Sequence, residues 1–225
     1  MREHWAIASG ATAIVLIAVV GGVAWWLNAR QYVATDDATV DTRIVHIGPP
    51  MAGTIAGVPV TDNQRVEAGA VLATIAPAPP SSGALATGGD APAAVAVHAP
   101  VAGWVAHLVA APGSAVLPGQ ELMAIVPADF WITANFTETQ LADMQTGQPA
   151  TVTIDAFPGH TFDAHVESFQ AGAGQAFSVL PPDNASGSFV KTAQRVPVKL
   201  LFDSPPKVSP TLGPGMSAYV RVKVR

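Results

Sequence analysis

Residues 45–77 repeat at 95–127 without a gap, and this duplication at an offset of fifty constrains the fold more than any other feature of the chain. Ten of the 33 aligned positions are identical, where chance at this composition gives about two or three. The identities extend well beyond alanine and valine. Pro50, Ala52 and Gly53 fall on Pro100, Ala102 and Gly103. Val66, Gly69, Leu72, Ile75 and Pro77 fall on Val116, Gly119, Leu122, Ile125 and Pro127. Ile47/Val97 and Val58/Leu108 are conservative matches. Each half reads as short strands separated by turns, because proline pre-sets φ and glycine tolerates positive φ where the chain reverses. A half of this length has too little apolar surface to stand alone, so the two halves are expected to share one core.

Composition agrees with a mainly β chain. The 20 Gly and 20 Pro among 225 residues suit many short strands and tight turns rather than a helical bundle. A net charge of −5 argues against a nucleic-acid partner, which would call for a clustered basic face. The absence of cysteine excludes a disulfide scaffold, a thiolate zinc site, an iron–sulfur cluster and a cysteine nucleophile. One segment stands apart. Residues 6–27 carry no charge, and as a helix they would span about 33 Å against a hydrocarbon core of about 30 Å. Trp25 and Trp26 close the run, and Arg30 follows it. The run exceeds the apolar region of a signal peptide, and its end is a poor cleavage context. An uncleaved single-pass membrane anchor over residues 1–30 is therefore expected. Arg2 and Arg30 lie on opposite sides of it, so charge alone leaves its orientation open.

The repeated pattern P-x-A-G-x-I-x…V-x-x-G-x-x-L resembles the two half-motifs of biotinyl/lipoyl-like domains. Paired behind one N-terminal anchor, the halves resemble periplasmic adaptors (membrane fusion proteins) of the HlyD type. Further stretches resemble the EmrA-like multidrug branch: Tyr32-Val33-Ala34-Thr35-Asp36-Asp37-Ala38, Ala134-Asn135-Phe136 through Glu138-Thr139-Gln140, Gly147-Gln148-Pro149, Phe177 through Pro181, and Gln194-Arg195-Val196-Pro197-Val198. The resemblance runs from about Tyr32 to the C-terminus. It implies a non-enzymatic adaptor subunit of a multidrug or small-molecule efflux pump. Such a subunit sits in the inner membrane with its body in the periplasm, beside a transporter of the major-facilitator type, and assembles as a homo-oligomeric ring. A membrane-anchored envelope scaffold or binding protein without a pump role is the alternative.

A lipoyl or biotinyl carrier needs a lysine at the turn between its halves. Here residues 78–94 hold none, and the four lysines are Lys191, Lys199, Lys207 and Lys223. No covalently attached cofactor is expected. Family adaptors insert an α-helical hairpin between the halves, which requires three or four heptads. Pro79, Pro80, Pro92, Gly83, Gly88 and Gly89 forbid such a helix, and the segment reads as a flexible linker. The hairpin is expected to be missing, which leaves engagement of an outer-membrane channel open. A naturally short linker and a deleted hairpin are equally compatible with it.

The C-terminal half reads as strands at 129–136, 151–156, 162–170, 195–202 and 216–224, with a short helix after Thr137 capped by Gln140. That pattern suggests a small β-barrel. The resemblance implies a membrane-proximal β module built from both chain ends. The expected organisation is an anchor (1–30), a membrane-proximal strand (31–43), a first lipoyl half (44–77), the linker (78–94), a second half (95–127), a β-barrel (128–175), and the barrel end with the membrane-proximal module (176–225). The turn residues Pro50, Gly53, Gly69, Pro100, Gly103 and Gly119 are structural candidates. Phe177, Leu180, Lys191 and Arg195 are candidate partner or substrate contacts.

Other chemistry is weak in the sequence. His160, Asp163 and His165 do not form a recognised metal-ligand spacing, and no metal site is expected. His46 and His98 read as polar strand residues. Asp36 and Asp37 read as a solvated strand entry, since neighbours on a strand point oppositely. No nucleophile elbow or phosphate-binding loop occurs.

Overall fold

The computed structural model describes residue 16 and residues 19–22, 31–77, 93–170, 172, 194–206 and 212–224. Numbered in chain order, the strands are β1 (Tyr32–Thr42), β2 (Val45–Ile47), β3 (Gly53–Gly57), β4 (Arg65–Val66), β5 (Val71–Pro77), β6 (Val95–His98) and β7 (Gly103–Ala106). They continue as β8 (Ala115–Val116), β9 (Met123–Val126), β10 (Phe130–Thr137), β11 (Pro149–Ile154), β12 (Thr161–Phe169), β13 (Arg195–Phe202) and β14 (Ser217–Lys223). A single turn of helix, α1 (Glu138–Leu141), follows β10. The chain is mainly β and divides into two units, residues 41–130 and residues 1–40 with 131–225.

In the first unit the duplication becomes a two-sheet sandwich. One sheet has the order β2-β9-β7-β4 and the other β6-β5-β3-β8. A shift of fifty residues, forward for β2 and β4 and backward for β9 and β7, turns the first order into the second, so the repeat maps one sheet onto the other. Each sheet draws two strands from each half. Neither half can close a sheet alone, which is why neither is a domain by itself. The backbone follows the same rule. Asn63 N donates to Val105 O at 2.8 Å and Val105 N to Gln64 O at 2.9 Å; with the halves exchanged, Gly113 N donates to Ile55 O at 2.8 Å and Ile55 N to Ser114 O at 2.9 Å.

The core repeats as well. Ile47/Val97, Ile55/Val105, Val66/Val116, Leu72/Leu122 and Ile75/Ile125 are all buried in one cluster. A fully buried aliphatic side chain contributes about 1.5–3 kcal/mol, so these pairs carry much of the unit's stability. Two glycine pairs have distinct reasons. Gly69 and Gly119 adopt φ of 86° and 85°, the left-handed region that an L side chain resists. Gly53 and Gly103 are instead held by closeness. A Cβ on Gly103 would lie 2.5 Å from the Val126 carbonyl oxygen, and one on Gly53 would overlap the matching Ala76 oxygen.

The second unit is a closed barrel of six strands in the order β1-β10-β13-β12-β11-β14. Strict alternation fills it: Ile132, Ala134 and Phe136 from β10, Val198 and Leu200 from β13, and Ala218, Val220 and Val222 from β14 point inward. β1 pairs with β14 and so is a stave of this barrel. The expectation that Tyr32–Val40 belongs to a separate membrane-proximal module is corrected here; the rest of that expected module, residues 177–193, lies outside the described residues. The alternating apolar positions of β1 and β14 complete the barrel interior, and closure satisfies edges that would otherwise be unpaired. The barrel strands fall within two residues of those read from the sequence.

Of the expected anchor, only Leu16 and residues 19–22 are described, and these are helical. The rest of that expectation, and nearly all of the linker, lie outside the described residues. Among the described residues no helix is long and apolar enough to cross a membrane.

Candidate functional site

β1 departs from strand regularity at the Asp pair. Thr35 and Ala38 are both buried although they lie three positions apart, which regular alternation would put on opposite faces, and the register with β14 shifts between them. A bulge at Asp36-Asp37 absorbs the slip. Asp36 is left exposed, while Asp37 is aimed along the barrel surface toward β10 and β13. Its Oδ1 accepts a hydrogen bond from Asn135 Nδ2 at 3.1 Å, and its Oδ2 pairs with Arg195 Nη1. The bulge is held from beneath, where Thr35 Oγ1 donates to Asn135 O at 2.9 Å and accepts from Asp37 N at 3.2 Å.

Neighbouring residues extend this tie around the barrel end. Gln140 Oε1 accepts from Thr137 N at 3.0 Å, as the capping pattern anticipates, and its Nε2 donates to Ala34 O at 3.1 Å. Glu138 N donates to Gln194 O at 3.1 Å, which fixes the entry to β13. Gln148 Nε2 reaches the carbonyl oxygens of Asp143 at 3.2 Å and Val224 at 3.3 Å. Four motifs spread from position 34 to position 195 thus meet at one end of one barrel. Asp37 and its partners Asn135 and Arg195 are 98 and 158 residues apart in sequence.

The reading of Asp37 as a solvated strand entry is corrected: its carboxylate is the junction of three strands. Pairwise spacing could not reveal this, because no two of the partners are local. Arg195, expected as a contact residue, is half exposed and engaged with Asp37. Phe177, Leu180 and Lys191 lie outside the described residues. Pro50, Gly53, Gly69, Pro100, Gly103 and Gly119 belong to the sandwich unit. His46 pairs with Glu121 at 2.9 Å, and His98 Nδ1 lies 3.0 Å from Gly69 O, both as polar strand residues. His165 pairs with Asp203 at 2.6 Å and lies 4.0 Å from Glu167. Among the described residues no three His, Asp or Glu side chains gather as a metal site. On the barrel's outer face an open recess of about 250 Å³ is lined by Trp131, Thr133, Ser168, Gln170, Pro197 and Lys199. Lys199 Nζ stands 4.6 Å over the Trp131 ring there.

The Asp37 junction ties strands and performs no covalent chemistry. Its ion pair is partly exposed, so it is worth less than about 1 kcal/mol by itself. Asp37→Ala is expected to cost more, about 1–2 kcal/mol, because Asn135 also loses its acceptor. A urea-denaturation cycle of Asp37→Ala, Arg195→Ala and the double variant should return a coupling of about 0.5–1 kcal/mol. Strict additivity would show that the pair does not link the strands.

Residues 43–128 match the family described as "RND MFP, barrel-sandwich hybrid domain", and residues 129–176 match "CusB-like, beta-barrel domain". The chain is 42% identical over 130 residues to the colistin resistance protein EmrA of Acinetobacter baumannii, which covers 57% of this chain and 36% of that protein. It thus spans about a third of that relative's length. Similarity to the putative efflux system component YhbJ of Bacillus subtilis is 29% over 196 residues, covering 87% of this chain and 81% of that one. A solved structure of the periplasmic adaptor protein EmrA shares the fold, with a TM-score of 0.56 at 13% identity over 87% of this chain and 99% of that one.

Proposed function

The chain belongs to the membrane fusion protein family, and from that premise we propose that it is the periplasmic adaptor subunit of an inner-membrane multidrug or small-molecule efflux pump. Proteins of this family are non-enzymatic adaptors. The observation that carries the proposal is the convergence of the EmrA-like motifs on the Asp37 junction, because residues unrelated in sequence are spent on holding one barrel end in shape. Residues 6–27 anchor the chain in the inner membrane, with its body in the periplasm. A transporter of the major-facilitator type is the membrane partner, and the adaptor works as a homo-oligomeric ring. Phe177, Leu180, Lys191 and Arg195 supply contacts to that partner or to the exported compound. The 17 residues of the linker cannot form the family's helical arm, so any outer-membrane partner is met without it.

The test is a gentle-detergent pull-down of the full-length protein from its native membranes, with co-purifying proteins identified by mass spectrometry. A many-helix transporter is expected in the eluate. A variant whose linker 78–94 is shortened to a tight turn should retain that transporter. A folded sample that brings down no transporter would overturn the adaptor reading in favour of an envelope scaffold. Loss of the transporter from the shortened variant alone would overturn the dispensability of the linker.

A further inference from the structure

The surface where β1 and β14 meet is charged in a way the barrel does not need. Tyr32 pairs in register with Lys223, and the Arg221 guanidinium lies 4.5 Å over the Tyr32 ring. Arg221 and Lys223 are exposed, and among the described residues neither forms an ion pair with a carboxylate. The nearest acidic positions by register are Asp163, beyond Thr151 on the far side of β11, and Asp36 in the β1 bulge; Asp143 stands at the end of β14, where Gln148 Nε2 bridges its carbonyl and that of Val224. In sequence, Arg30 precedes Tyr32 by two residues and Arg225 follows Lys223 by two. Four of the 11 Lys and Arg residues of an acidic chain therefore attach to one pair of strand ends.

These strand ends are also the part of the barrel nearest in chain to the apolar run. Tyr32 follows Leu27 by five residues, which reach at most about 18 Å when fully extended. A cationic group tethered at that range samples the membrane surface, where the potential of anionic lipids extends about one Debye length of 8–10 Å. Tyrosine suits the same boundary, with an apolar ring and a polar tip.

We propose that the Tyr32–Arg221–Lys223 face of the barrel rests on the phosphate headgroups of anionic phospholipids. The inference rests on the anchor reading above. Each basic residue near an anionic surface is worth about a fivefold change in partitioning, so Arg221 and Lys223 together supply roughly 25-fold in the headgroup-bound population.

The chain has no cysteine, so single labels are straightforward to place. A fluorophore would be attached to the full-length protein at Thr151→Cys, beside Arg221 in the sheet, or at Ser217→Cys, near the opposite end of β14. The protein would be reconstituted in nanodiscs whose headgroups carry a nitroxide quencher, with phosphatidylcholine alone or with phosphatidylglycerol added. The expected result is severalfold stronger quenching at position 151 than at 217. It should rise with phosphatidylglycerol and fall with salt, and Arg221→Gln/Lys223→Gln should return it to the phosphatidylcholine level. Equal quenching at the two positions in properly inserted protein, or indifference to lipid charge, overturns the headgroup contact and leaves the anchor standing. Quenching at 151 that needs a co-reconstituted transporter assigns the face to a protein and overturns the lipid contact. Failure of residues 6–27 to insert at all overturns the anchor reading and the contact with it.

Discussion

Phe136→Ala is expected to destabilise the barrel by about 3–5 kcal/mol, the usual cost of removing a fully buried phenyl ring from a packed interior. Phe136 has no solvent exposure and is the largest fully buried side chain of the unit. Its neighbours on β10, Asn135 and Thr137, face outward and hold Asp37 and Gln140. The ring therefore backs the strand that carries the junction. Equilibrium unfolding in urea, followed separately by β-sheet circular dichroism and by limited proteolysis, would measure the loss. Phe136→Leu retains most of the volume and should cost less than about 1.5 kcal/mol. If the alanine variant were as stable as the leucine variant, the barrel interior would have to collapse around the gap, against its close packing.

Gly103→Ala is expected to destabilise the sandwich by about 2–3 kcal/mol, and Gly53→Ala by at least as much. The added methyl on Gly103 would meet the Val126 carbonyl oxygen at 2.5 Å and Ile125 Cγ2 at 2.7 Å. The methyl on Gly53 would meet Ala76 and Ile75 in the same way. A backbone carbonyl in a paired strand cannot rotate aside as a flexible side chain can, so the sheet itself must give. Gly57→Ala is the control, because a Cβ there meets nothing within 4 Å, and it should stay within about 0.5 kcal/mol of the parent. Chemical denaturation of the three variants decides the matter. A Gly103 variant as stable as the Gly57 variant would show that close strand approach is not why glycine recurs at this offset.

The two predictions mark where sequence reasoning succeeds and where it stops. The duplication, its turns and its shared core were legible because a repeat is compared with itself, and each matched Pro, Gly or aliphatic residue is a local signal. The barrel strands were legible by alternation, as in Thr151–Ile154 with Val152 and Ile154 inward. The length and composition of residues 78–94 carry only the expectation that a long helical arm is missing, because nearly all of that segment lies outside the described residues.

Three matters needed the tertiary structure. The exchange of strands between halves, which builds each sheet from both, depends on long-range pairing that periodicity does not encode. The place of β1 in the barrel depends on β14, nearly two hundred residues away, because only closure satisfies both edges. The role of Asp37 depends on a bulge that turns one of two adjacent carboxylates toward Asn135 and Arg195. Local chemistry therefore determined which segments are strands and which residues fill the cores. Partners as far apart in sequence as Asp37 and Asn135 are brought together only by folding, and folding alone decided which polar side chains hold the barrel end.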